Sequence, residues 1–391
     1  MLSYKEALDI VLNTAPQTGS ECIDFKDALG RILYEDVVSD IDLPPFDKSA
    51  MDGYACRKED LDKDLRIVEV IPAGMDPTQH IRSGQCAKIM TGAKIPAGAD
   101  TVIINEETIE LENGMVRFSA GQTKHNIIFR AEDVRKGEVV LAKGTILEPQ
   151  HIAVLATVGC VDPRVAEKVN VGILSTGDEI IEPEAKPAGS QIRNSNAYQL
   201  VAQVERLGSK ARYYGIAGDD KERTFHLVKD ALENQDILIL TGGVSMGDFD
   251  FIPSVMNELG VEILFRTVSI QPGKPTVYGI FKEKRIFGLP GNPVSSFNTF
   301  QLFVKPLILK MSGASHLPGM ARLPLGKTYE RKKSNRLSWV PVKLTEDHQV
   351  VPLEYHGSAH ITSLVDADAF IGIPVGVTKI AQGEFVDVRF I

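Results

Sequence analysis

From Asn170 to Ser312 the chain alternates short apolar runs with segments whose apolar residues recur at helical spacing. VNVGIL, ARYYGI and DILIL read as strands, and NAYQLVAQVERLG, KERTFHLVKDALEN and FIPSVMNELG as helices. VEILFRTVSI is again extended, and RIFGLPGNPVSSFNTFQLFVKPLIL reads as a short strand, a Pro-Gly turn and a long helix. This alternation predicts βαβ units around a mostly parallel sheet. Such sheets bind ligands beyond the carboxyl ends of their strands.

Two further textures flank this region. Residues 44–133 carry short β runs such as RIVEVI and TVIINEETI, broken by Gly and Pro turns, and are expected to form a β-rich domain. Residues 313–391 read similarly, with SWVPVKL, FIGIPV and EFVDVRFI, and form the expected C-terminal β domain. The N-terminal MLSYKEALDIVLNT has helical spacing and a capping box, Ser3 with Glu6. GTILEPQHIAVLATVGC predicts a helix from Pro149. Residues 1–43 and 134–167 are therefore expected to form a discontinuous helical linker domain, leaving 168–312 as the α/β domain.

Bulk properties narrow the function. A chain of 391 residues exceeds one ordinary core. Its 43% hydrophobic and 24% charged content is that of a globular chain. No apolar run reaches the roughly 18 residues of a membrane helix. The net charge of −9, with no long basic run, argues against nucleic acid as the main partner. Four dispersed cysteines, Cys22, Cys56, Cys86 and Cys160, fit a reduced cytoplasmic protein better than a disulfide framework or a zinc site. His356 and His360 sit four apart, but in a Gly-Ser loop, and are not expected to hold a metal.

The chemistry concentrates in three strand-end loops. STGDEI brings Asp178 and Glu179; TGGVSMGDFD brings Ser245, Asp248 and Asp250; GLPGNPVS leads into a helix. Glycines let backbone approach a ligand, and successive N–H groups form a nest for an anion. Carboxylates there would repel a phosphate unless Mg²⁺ bridges them. Taken singly, Asp250 reads as a helix cap and Glu179 as a solvated loop residue. Together the loops predict a cradle for a phosphorylated ligand carrying Mg²⁺. Walker and dinucleotide-binding fingerprints are absent.

PPFDKSAMDGYA, IMTGA, STGDEI, TGGVSMGDFD, PGKP and GLPGNPVS occur in an order, along nearly the whole chain, that resembles the MoeA family of molybdopterin molybdenumtransferases. That family includes the gephyrin E domain and its plant counterpart. The resemblance implies a four-domain subunit in a homodimer, with an α/β domain like that of molybdopterin adenylyltransferases. It implies insertion of molybdate into adenylyl-molybdopterin with loss of AMP, dependent on Mg²⁺. It allows transient contact with the adenylyltransferase and with apo-molybdoenzymes. Carried over by motif, Asp52, Thr91 and Asp133 belong to the chemistry from the second domain, and Glu179, Asp219 and Asp250 from the α/β domain. Glu179 and Asp250 are the implied metal ligands. Gly242, Gly243 and Ser245 are expected to contact the ligand, with Pro290, Asn292 and Pro293 shaping the last loop. Lys274 and Ser358 are expected at the oxyanion.

Several positions depart from the family pattern. Gln271 stands where a lysine is common, and Val340 aligns with an arginine of the C-terminal domain, with Arg336 nearby but out of register. The usual Gly-Glu-Asp is Ala131-Glu132-Asp133, Asn194 replaces an aspartate, and Asp368-Ala369 replaces Asn-Gly. The competing readings are a weakened paralogue that binds or delivers the cofactor, or inserts tungstate; an adenylyltransferase, which the absence of TGGTG disfavours; and a scaffold protein.

Overall fold

Six strands form the central sheet: β1 (Asn170–Ser175), β2 (Lys210–Ile216), β3 (Ile237–Thr241), β4 (Glu262–Phe265), β5 (Val277–Phe281) and β6 (Lys284–Leu289). Their order is β2-β1-β3-β6-β5-β4. The first four in that order run parallel, β5 runs antiparallel to them, and β4, antiparallel to β5, runs in their direction again. The computed structural model describes residues 1–218, 220–243, 252–316 and 319–391.

Helices cover both faces, which is why the central strands are apolar throughout. All five residues of β3 are buried. Ile237 and Ile239 face one core with Ala7 and Val11 of α1 (Tyr4–Asn13) and Leu200 and Val204 of α2 (Ser195–Arg206). Leu238 and Leu240 face the other, with Val228 of α3 (Lys221–Asn234) and Val255 of α4 (Ile252–Glu258). Each of the buried Val, Leu and Ile side chains contributes about 1.5–3 kcal/mol on burial. The expected mostly parallel α/β architecture is present.

Three details differ from the sequence pattern. VEILFRTVSI breaks after Phe265, and Ile270–Gln271 instead pairs in parallel with Leu337–Leu344 of a C-terminal sheet. VYGIF forms β5, which the reading of helix and strand runs omitted. The long helix after Pro293 is α5 (Pro293–Thr299) and α6 (Lys305–Met311), joined by a π turn over Phe300–Val304. There the Lys305 N–H donates to the Phe300 carbonyl, five residues back. Pro306 follows at once, and a proline has no N–H to keep the four-residue ladder.

Residues 1–35, 143–148 and 164–391 form one compact unit, and 36–142 with 149–163 a second. The stretches read as a helical linker thus divide between the two. They hold α1 and a helix at Pro149–Thr157, but also short strands such as Ser20–Cys22 and Val139–Leu141. The second unit is built on a six-stranded sheet ordered Thr101–Ile104, Gly53–Cys56, Gln85–Ile89, Asp64–Ile71, Met115–Phe118, Thr108–Leu111. Cys56 and Cys86 lie opposite each other across two of these strands. Among the described residues no helix is long and apolar enough to cross a membrane.

Burial pushes the Cys56 and Cys86 thiols up to about 12, the neighbouring Cys86 adding to the effect at Cys56. At pH 8 each is then a thiolate about one time in ten thousand. Iodoacetamide on the folded protein should alkylate exposed Cys22 and spare Cys56 and Cys86. Peptide mass mapping checks this. Rapid labelling of either buried cysteine without denaturant would contradict the buried sheet.

Candidate active site

The carboxyl ends of β1, β3 and β6 open into a cleft of about 360 Å³, the lower part of the range for ligand pockets. Its floor is backbone. Thr176 N–H donates to the Thr241 carbonyl at 3.0 Å, and Gly242 N–H to the Leu289 carbonyl at 3.3 Å. Gly242 has φ +92°, and a β-carbon there would lie 2.4 Å from the Thr176 carbonyl oxygen. Gly243 has φ +57°, and its β-carbon would meet Thr176 Oγ1 at 2.9 Å. These two glycines are demanded by the approach of neighbouring strand ends.

Glu179 lines the same cleft with its carboxylate over Gly177, where an added β-carbon would sit 2.5 Å from Glu179 Oε2. Its carbonyl accepts from the Ile192 N–H at 2.7 Å, and residues 180–181 pair in parallel with 192–193. Glu179 is therefore an exposed carboxylate on an anchored backbone. Thr176 Oγ1, also of this cleft, is buried without a hydrogen-bond partner among the described residues. That orphan hydroxyl is the sort of group a bound ligand or ion satisfies.

The helix starts supply the walls. Asn194 caps α2 by accepting from Ala197 N–H, while its Nδ2 donates to Ser175 Oγ at 3.0 Å and Tyr213 OH at 2.7 Å. Asn196 Nδ2 donates to Thr241 Oγ1 at 3.0 Å and to the Gly291 carbonyl at 2.7 Å, tying β3 to the last loop. Pro290 and Asn292 line the cleft, and Pro293 opens α5. Asn292 occupies the cap position of α5 without capping it; its Nδ2 donates to Ser358 Oγ at 2.9 Å. Sequence reasoning had not assigned Thr176, Asn196 or Pro275 to the site. Asn196, in the first turn of a helix entered from a strand-end loop, was the findable one.

Lys274 is exposed and does not line the cleft, although the next residue, Pro275, does. Val340 is 3% exposed and packs in the C-terminal sheet's core with Val342 and Ile371, so it presents no side chain to a ligand. Arg336 lies against the Ile270–Gln271 strand: Nη2 donates to Gln271 Oε1 at 3.4 Å and Nη1 to the Ile270 carbonyl at 3.3 Å. Counting along the motif had put Arg336 out of register; the pairing of Ile270–Gln271 with Leu337–Ser338 brings it to Gln271.

In the second unit Asp52 and Thr91 meet. Asp52 Oδ1 accepts from Thr91 N–H at 2.6 Å and Thr91 Oγ1 at 2.9 Å. These bonds, the backbone one foremost, hold the Asp52 carboxyl below the usual carboxylate range. Asp133 is exposed, its N–H donating to the Leu43 carbonyl at 3.0 Å. Asp219, Ser245 and Asp250 lie outside the described residues. His356 and His360 stack with ring centroids 5.1 Å apart, and among the described residues no cluster of three His, Cys, Asp or Glu could hold a metal.

Glycine-lipped parallel strand ends in a three-layer α/β unit define a class. Residues 172–310 match the family described as a probable molybdopterin binding domain. Residues 2–159 match the MoeA N-terminal region, domains I and II, and 326–391 the MoeA C-terminal region, domain IV. The chain belongs to the MoeA family of molybdopterin molybdenumtransferases. It is 34% identical to the molybdopterin molybdenumtransferase of Staphylococcus epidermidis over 99% of this chain and 95% of that one. The Staphylococcus aureus protein of the same name is 33% identical over the same shares. The crystal structure of the molybdopterin biosynthesis MoeA protein of Pyrococcus horikoshii superposes with a TM-score of 0.87 at 31% identity, covering 100% of both chains.

The strand-end geometry makes a paired prediction. Gly242→Ala forces a β-carbon against the Thr176 carbonyl at a positive φ and should cost more than about 1 kcal/mol. That lowers the melting temperature by roughly 2–4 °C per kcal/mol. Gly291→Ala, whose nearest contact would be an ordinary 3.7 Å to Gly242 Cα, should stay within about 0.5 kcal/mol of wild type. Differential scanning calorimetry compares them, and equal melting temperatures would remove the steric argument.

Proposed function

We propose that this chain performs the insertion step of molybdenum cofactor biosynthesis. It takes adenylyl-molybdopterin and molybdate, places the metal in the dithiolene, and releases AMP as the pyrophosphate bond is cleaved. The observation that carries this reading is the cleft itself, with backbone glycines 242 and 243 on its floor, a Thr176 hydroxyl partnerless among the described residues and the Glu179 carboxylate at its lip. Backbone can approach the phosphates there without meeting a side chain.

The donor set fits Mg²⁺. Glu179 is an exposed hard oxygen donor at the cleft lip, and Mg²⁺ takes one or two protein carboxylates while ligand oxygens and water fill its remaining positions. Glu179 would hold the ion, with Asp250 the second ligand in this proposal. When bound, Mg²⁺ polarises the phosphate and stabilises the charge on leaving AMP. The chain's own part is positional: Asn196 fixes the Gly291 loop, and Asn292 and Ser358 fix one another across the last loop. A homodimer in the cytoplasm is part of the same reading, with Asp52 and Asp133 contributed to the chemistry. Sedimentation velocity at micromolar concentration tests the dimer.

At the oxyanion end we assign the principal cation to Arg336 rather than to a residue at position 340. Its two long hydrogen bonds leave donors of its five free for molybdate. Gln271 remains neutral where the family commonly has lysine, the feature that favours the delivery paralogue as second reading.

Two variants separate these readings. Glu179→Gln should reduce AMP release by several kcal/mol of transition-state stabilisation, at least a hundredfold, while AMP binding by calorimetry stays near wild type. Undiminished turnover would make Glu179 a bystander. Arg336→Gln should raise half-saturating molybdate about ten- to a hundredfold at an unchanged plateau, because it removes one charge-assisted contact. A wild-type response to molybdate in that variant would return the oxyanion to other donors, and no AMP release by any of the proteins would favour the delivery paralogue.

A further inference from the structure

The turn between β4 and β5 is closed from inside. The Val268 and Thr276 N–H groups both donate to the Lys274 carbonyl, at 3.0 and 3.1 Å, and Thr276 Oγ1 donates to the Gly273 carbonyl at 2.7 Å. Arg336 Nη1 reaches the Ile270 carbonyl. The Pro272 carbonyl accepts from Asn298 Nδ2 at 3.0 Å. Asn298 lies near the end of α5 and is 1% exposed. Beside it Thr299 presses on the same turn: Gly273 has φ +111°, and a β-carbon there would lie 2.5 Å from Thr299 Cγ2. With these carbonyls bonded inward, the turn presents outward the exposed Lys274 side chain and Pro275, which lines the cleft.

Packing alone does not explain an amide at position 298. Among the described residues its Oδ1 is buried without a hydrogen-bond partner. A buried acceptor left unpaired gives back much of what the Nδ2 bond gains, so an apolar side chain of similar size would hold this place about as stably. What the amide adds is direction: a donor aimed at one carbonyl of a turn that carries a cleft residue. The same short helix starts behind Asn292, whose side chain bonds Ser358. α5 thus holds one strand-end loop at its start and the Lys274 turn near its end.

We propose that Asn298 is a positioning residue for the reaction, holding Lys274 and Pro275 in place for the phosphates of the bound nucleotide through the Pro272 carbonyl. This assignment rests on the reading of the cleft as the adenylyl-molybdopterin site. Without the Asn298 bond the turn loses its hydrogen-bonded attachment to α5. Lys274, on its flexible four-carbon stem, then samples several placements and binds a phosphate less tightly.

The test uses the full chain, with AMP as the calorimetric probe and amide hydrogen exchange as a readout that needs no turnover. Asn298→Val and Asn298→Ala both remove the donor, and both are measured so that a packing fault in one does not decide the result. In each, the peptide spanning residues 266–277 should exchange about tenfold faster, while the β3 peptide stays as protected as in wild type. AMP binding should weaken about three- to tenfold in each, and about tenfold in Lys274→Gln. Combining Asn298→Val with Lys274→Gln should weaken AMP no further than Lys274→Gln alone, because both act on one contact. Ser296→Ala, on the same helix with a buried hydroxyl that has no partner among the described residues, should change neither readout. Losses that multiply in the double variant, or unchanged exchange at 266–277, would overturn the assignment and leave Asn298 a packing residue. Wild type that binds no AMP would instead remove the reading of the cleft, and this assignment with it.

Discussion

The active-site architecture depends on how closely the ends of β1 and β3 approach. The Thr176 carbonyl stands where a β-carbon of residue 242 would be, and the Thr176 hydroxyl crowds residue 243. Only glycine satisfies both the contact and the positive φ. The same crowding hides Thr176 Oγ1 from water, and among the described residues it has no partner. One packing constraint thus yields a floor of bare backbone and an unsatisfied oxygen at the point where the parallel strands stop.

Three asparagines turn that floor into a cleft. Asn194 does two tasks, capping α2 and bonding Ser175 and Tyr213; Tyr213 in turn donates to Glu182, which also accepts from Tyr198. Asn196 reaches from the same helix to both flanking loops. Asn292 sits where its side chain would ordinarily cap a helix, yet it is committed to Ser358, and the Val294 N–H bonds the Ser358 carbonyl. A loop of the C-terminal region thereby becomes part of the last strand-end loop. Neutral amides suit this work, since they bind carbonyls and hydroxyls without adding negative charge.

Much of this was legible in the sequence because local rules set it. The helix read at KERTFHLVKDALEN is observed at Lys221–Asn234, with Asp220 capping it, because its apolar positions and its cap agree. The glycine-and-acid loops at Glu179 and Gly242 sit at strand ends as alternation predicts. What escaped was set by distant pairing. VYGIF is too short to stand out until it pairs with β6. Val340 was matched to a ligand position by counting, whereas its place in the strand turns it into an apolar core. Arg336 reaches Gln271 only because two segments more than sixty residues apart form adjacent strands. The buried hydrogen bond between Gln301 and Gln203 gave no sequence signal at all, since the two come from different helical segments and meet through tertiary packing.

In the proposed reaction one cleft both holds the pterin nucleotide and couples its cleavage to metal insertion. The most direct measurement supplies adenylyl-molybdopterin, Mg²⁺ and graded molybdate to the purified chain, and counts AMP released against molybdenum retained in the pterin. The two should rise together in equal amounts, and chelating the divalent ion should stop both. Tight retention of intact adenylyl-molybdopterin, with no AMP formed at any molybdate concentration, would contradict it.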